Sequence, residues 1–169
     1  MSMNKMFKKV LAVVAAGAMT MGMAMPTFAA DGGKTTEAWI TKTYYTEVGK
    51  AEKFSFTAEQ VKTGTGIITT DAAVTMPEIS FTDTETGTIS KRGRYISDIS
   101  RSRKYEYTVT ETQTADPIVA NSEHEKMIMS QAEYTMDVYV TDGATGTEIS
   151  NIVVNKVKDD AGQTATGKV

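Results

Sequence analysis

The run Tyr105-Glu106-Tyr107-Thr108-Val109-Thr110-Glu111 alternates without a break. That period commits it to a β-strand, because side chains two apart share one face of a sheet. Tyr105, Tyr107 and Val109 mark the inward face, and Glu111 is next on it. A second strand, Ile40-Thr41-Lys42-Thr43-Tyr44, places Lys42 between Ile40 and Tyr44 in the same way. A charge buried without a partner is expensive, so such a group pairs or neutralises. A lysine and a glutamate directed into one core of a cysteine-free β-protein suggest an internal covalent cross-link. Two plainer readings stand beside this one. Lys42 can snorkel its head to the sheet edge, and Glu111, near its strand end, can be half in water.

The first 29 residues are set apart from the fold. Lys5, Lys8 and Lys9 form a basic start, Val10 to Met25 is apolar, and Pro26-Thr27-Phe28-Ala29 leads to a small-residue cleavage site. This is the pattern of a secretory signal peptide, residues 1–29, cut after Ala29. The apolar run is short for a membrane anchor and ends at Pro26. The whole chain has 18 basic and 21 acidic residues; without the three signal lysines it keeps 15 and 21, a net of −6. An acidic surface argues against nucleic acid as partner. Exported small domains often rely on disulfides, and with no cysteine any covalent staple here must be of another kind. No hydrophobic span or wall-sorting signal occurs before Val169.

Strands are expected over about 38–46, 53–57 and 104–112, with a weaker candidate over 73–81 that Pro77 interrupts. Thr63-Gly64-Thr65-Gly66 reads as a loop, and Asp83-Thr84-Glu85-Thr86-Gly87 as a turn. Residues 92–102 fit strand or coil equally. The stretch 114–125 is polar and loop-like. Tyr134, Met136, Val138 and Val140 alternate with Thr135, Asp137, Tyr139 and Thr141 in half-buried sheet patterning. Asp142-Gly143-Ala144-Thr145-Gly146 then reverses the chain into a strand over 147–157. The polar residues from 158 on are expected to be unstructured. Six or seven short strands with regular turns predict an all-β sandwich, one domain over 30–157.

These elements resemble the streptococcal pilin isopeptide linkage domain of Gram-positive backbone pilins and related surface proteins. The likeness rests on Ile40-Thr41-Lys42, followed by Phe54-Ser55-Phe56-Thr57. It rests further on the Tyr-x-Tyr-x-Val-x-Glu strand ending at Glu111, and on Ala132-Glu133-Tyr134-Thr135-Met136-Asp137-Val138-Tyr139-Val140. The resemblance implies an Ig-like β-sandwich with a self-formed Lys–Asn amide. Lys42 would be the linking lysine and Glu111 the catalytic acid. The family's asparagine lies on a final strand in a Phe-x-Asn context, which does not occur before Val169. The final strand is therefore expected to be missing, with the asparagine beyond Val169. Asn151 and Asn155 lack the family context.

The chemistry such a pair would perform is definite. A neutral amine attacks a side-chain carboxamide, a protonated glutamate polarises the amide oxygen and relays protons, and ammonia departs. The event happens once per molecule, so the chain is its own substrate, not an enzyme in the usual sense. The implied role is a structural pilus subunit or stalk module, secreted and held at the Gram-positive cell wall. Its partners would be other pilin subunits and, through sortase, the wall itself. The alternative is a secreted adhesin whose loop over 114–125 contacts a host ligand. No cofactor or small-molecule substrate is implied. His124, the one histidine, lies in a polar stretch without converging metal ligands. Arg101, Arg103 and Lys104 read as a solvated turn, Met127 and Met129 as packing, and Asp159-Asp160 lacks calcium-loop spacing. No nucleophile triad, phosphate loop or zinc motif is present.

Overall fold

The computed structural model describes residues 38–47, 49–61, 72–94, 96–99, 101–114, 116–117 and 127–169. The signal segment, the Thr63–Gly66 loop, His124 and most of the 114–125 stretch lie outside these residues. Among the described residues the regular structure is entirely β, in eleven strands. They are β1 (Trp39–Thr46), β2 (Glu52–Phe54), β3 (Phe56–Gln60), β4 (Ala72–Thr75), β5 (Ile79–Phe81), β6 (Gly87–Arg94), β7 (Ile96–Ile99), β8 (Lys104–Glu111), β9 (Glu133–Gly143), β10 (Gly146–Lys158) and β11 (Thr164–Lys168). No helix among them is long and apolar enough to cross a membrane.

One antiparallel sheet has the order β11-β10-β9-β8-β3, and the remaining strands form the antiparallel pairs β1–β6, β2–β5 and β4–β7. The large sheet turns Tyr105, Tyr107, Val109, Tyr134, Met136, Val138, Val140, Ile152 and Val154 inward, all buried. From the other side Ile40, Tyr44, Phe54, Ile79 and Phe81 complete the core. The rings of Tyr44, Phe54 and Phe81 meet with centroids 5.1–5.8 Å apart, tilted or edge-on, as aromatic quadrupoles favour. The alternation read from the sequence is realised in β1, β8 and β9, giving the all-β sandwich expected of it.

Several elements differ from expectation for local reasons. The run over 53–57 is two strands. It breaks at Ser55, so that β2 pairs with β5 while β3 joins the large sheet beside β8. Phe54 and Phe56 are both buried, and the Ser55 carbonyl accepts from the Thr112 amide at 2.9 Å. Met76-Pro77-Glu78 likewise splits the 73–81 candidate into β4 and β5, because proline cannot donate to a ladder. Strand β6 carries little apolar signal. Its inward positions are Gly87, Ile89, Lys91 and Gly93, and it forms by pairing along the whole of β1.

The segment beyond Lys158 is ordered, contrary to the sequence reading. Asp159 Oδ1 accepts from the amides of Ala161 and Gln163 at 3.0 and 2.8 Å, and Gly162 takes φ +79°. This turn sends β11 back along β10. An edge strand needs ladder bonds on one side only, so Thr164–Lys168 forms without an apolar pattern. Val169 packs against the core, and its amide donates to the Val154 carbonyl at 3.0 Å.

Candidate functional site

Lys42 comes from the middle of β1 and Glu111 from the last position of β8, two strands that belong to different sheets. Because both occupy inward registers, they meet between the layers. Nζ of Lys42 lies 2.6 Å from Oε1 of Glu111, and both side chains are fully buried. Neither plainer reading applies: the amine does not reach the sheet edge, and the carboxyl is not half-solvated.

The surroundings are aromatic on one side. Lys42 Nζ stands 4.3 Å from the centroid of the Phe54 ring, whose negative face favours a cation and excludes water. Phe56 is the direct cross-strand neighbour of Glu111 and is buried with it. On β6, Lys91 faces Lys42 in register. Its head turns away, 2.8 Å from Glu85 Oε2 and 2.9 Å from the Ser80 carbonyl, and 4.9 Å from the Phe81 ring centroid. The two lysines of one cross-strand pair thus take separate acidic partners, which relieves the repulsion of like charges directly opposite.

The second oxygen of Glu111 is held by backbone. The Ser130 amide donates to Oε2 at 2.9 Å. Ser130 is itself fully buried; its hydroxyl donates to Asp160 Oδ1 at 2.6 Å and accepts from the Ala132 amide at 3.2 Å. Gln113 Nε2 donates to the carbonyls of Glu111 and Ser130, closing the segment over the end of β8. Burial pushes the Glu111 carboxyl above its ordinary value, and the Asp160 charge adds to this; Lys42 and the Ser130 amide pull the other way without cancelling it. Burial and the Asp160 charge also raise the Tyr134 phenol. Its hydroxyl has no hydrogen-bond partner among the described residues.

Other sequence candidates do not join this site. Asn151 and Asn155 lie on β10 in the register opposite to buried Ile152 and Val154, so they face away from the core. Arg101 and Arg103 lie in an exposed bend before β8, and Lys104 pairs with Asp137 at 2.9 Å. Among the described residues no group of acids and histidine could hold a metal ion. Sequence reasoning missed Ser130 and Asp160. Nothing marks a lone serine before a strand, and Asp159-Asp160 reads in the sequence only as an acidic pair without calcium-loop spacing.

What this geometry defines is an all-β domain built round a dry lysine–carboxyl pair. A family model described as FctA, a Spy0128-like isopeptide-containing domain, matches residues 38–166, and the chain belongs to that family. That family is one of structural, pilin-like isopeptide domains and not of classical enzymes. Comparison with curated proteins returns no match.

Proposed function

We propose that this protein is a structural subunit or stalk module of a Gram-positive pilus or related surface protein, stabilised by a self-formed amide between Lys42 and an asparagine. The observation that carries this reading is the buried contact between Lys42 Nζ and Glu111 Oε1. In apolar surroundings two opposite charges are costly, and moving one proton from the ammonium to the carboxylate leaves a neutral amine and an acid. The raised Glu111 carboxyl favours that distribution.

The bond-forming step then balances without a cofactor. The Lys42 amine adds to the carboxamide carbon while Glu111 donates its proton to the carboxamide oxygen. Glu111 next takes a proton from the new ammonium and delivers it to the departing nitrogen, and as the C–N bond breaks and the carbonyl re-forms it takes back the proton it had given the oxygen. The C–Nζ amide is made, one ammonia leaves, and Glu111 ends as it began. Positioning replaces the entropy of encounter.

β1 pairs with β6 on one edge, and no described strand pairs with its other edge. That edge is where a strand bearing the asparagine would reach Lys42. Asn151 and Asn155 are on a different sheet and point outward, so they are not the substrate. A cross-link between terminal strands closes most of the domain into one loop. By analogy with a disulfide closing about 100 residues, it contributes roughly 4–5 kcal/mol. It also stops tension from peeling β1 away, the property a pilus shaft requires. Peptide mapping of the secreted protein tests the reading: a Lys42 peptide joined to an asparagine peptide is expected, and a free Lys42 amine in mature protein rejects it.

A further inference from the structure

The segment that closes over Glu111 is wired more heavily than a covering loop needs. All the polar groups of Ser130 are engaged. Its amide donates to Glu111 Oε2, its carbonyl accepts from Gln113 Nε2 at 2.7 Å, and its hydroxyl bonds both Asp160 and the Ala132 amide. The next residue is tied to the same place, since the Gln131 amide donates to the Asp160 carbonyl at 3.0 Å. Asp160 sits in the turn between β10 and β11, at the far edge of the large sheet from β8. A carboxyl with one oxygen fixed by a backbone amide cannot swing freely about its last torsion, which is otherwise broad.

We propose that Ser130 and Asp160 are positioning residues for the reactive pair: the Ser130 amide holds Oε2 of Glu111 so that Oε1 stays turned to Lys42, and Asp160 grips the Ser130 hydroxyl to keep that amide in place. This rests on the cross-linking function proposed above. The β10–β11 turn thereby becomes part of the site, although it touches neither Lys42 nor Glu111 through its backbone ladder. The charged groups acting on Glu111 are Lys42 from β1 and Asp160 from this turn.

The test uses the secreted chain together with the asparagine-bearing strand expected beyond Val169, with Ser130→Ala, Ser130→Thr and Asp160→Asn. Two quantities are read: the rate of ammonia loss, followed by intact mass, and the titration of the Glu111 side-chain carboxyl by carbon-13 NMR in a Lys42→Met background that cannot link. Ser130→Ala is expected to slow linkage by about 10- to 100-fold, the scale of a misplacement near 1 Å. It should also raise the pH at which Glu111 titrates, and Ser130→Thr should restore both. Should Ser130→Ala fail to fold, Asp160→Asn carries the test through the linkage rate and is expected to slow it. An unchanged rate and an unchanged Glu111 titration in the variants overturn the proposal. If the wild type never links, the cross-linking reading fails, and the NMR titration of Ser130→Ala still decides whether Ser130 orients Glu111.

Discussion

Lys42 and Glu111 touch at 2.6 Å although their strands belong to separate sheets and share no ladder bond. The contact is therefore made by side chains reaching across the interior. The two layers must pack correctly before it exists. Under the proposed function, a pair assembled this way is switched on by folding itself, which would keep the amine from reacting in the unfolded chain.

Breaking the pair from one side should be costly. Against the unlinked wild type, Lys42→Met or Glu111→Leu alone is expected to lose about 3–5 kcal/mol of unfolding free energy, because each strands a buried polar partner. Replacing both with apolar residues, Lys42→Met with Glu111→Leu, should cost less than the sum of the singles. Urea denaturation of the four proteins measures the coupling, and strict additivity would count against a direct contact.

The pH response follows from the direction of the Glu111 shift. Its carboxyl is raised above the 4.5 of an unfolded chain, so the fold binds that proton more tightly than the unfolded state does. The stability Glu111 contributes is full below 4.5 and is lost as pH rises from there through the raised folded value. In a Lys42→Met background, where Glu111 titrates without its partner, the advantage of Glu111 over Glu111→Gln should shrink across that window, by at most about 1.4 kcal/mol per pH unit. Parallel curves for the two proteins contradict the shift.

Phe54 joins the site to the aromatic core. Phe54→Ala is expected to cost about 3–5 kcal/mol through the cavity left beside Tyr44 and Phe81. Phe54→Leu keeps much of the volume but removes the ring face beside Lys42; the neutral amine that the proposed chemistry needs predicts no added loss dependent on Lys42, whereas about 0.5–2 kcal/mol that vanishes in a Lys42→Met background would mark a charged amine. Thermal or denaturant unfolding of that cycle separates packing from the cation–ring contact.

Gly49, between β1 and β2, tests the frame and not the chemistry. Its φ is +66°, and a Cβ there would run into the Asp83 carbonyl oxygen. Gly49→Ala should lower stability by more than about 1 kcal/mol, with the linkage rate of the folded fraction unchanged.

The strands that place the site were legible because they bury one face and expose the other. Tyr105 to Glu111 and Ile40 to Tyr44 announce both the inward face and the anomalous charges on it. Elements set by backbone pairing alone were not. Strand β6 presents two glycines and a lysine inward, and β11 is a polar edge, so neither carries the period that reveals a strand. The split at Ser55 was hidden because Phe54 and Phe56 keep the alternation while the chain changes sheets. Ser130 and Asp160 are brought to Glu111 only by tertiary folding.

The most direct measurement is the intact mass of the secreted, signal-free protein, carrying the asparagine-bearing strand expected beyond Val169, beside its Glu111→Ala variant. The account predicts a wild-type mass about 17 Da below the sequence mass, one ammonia, with the deficit absent from the variant. A wild type at full sequence mass, with Lys42 open to amine-directed acetylation after unfolding, would contradict it.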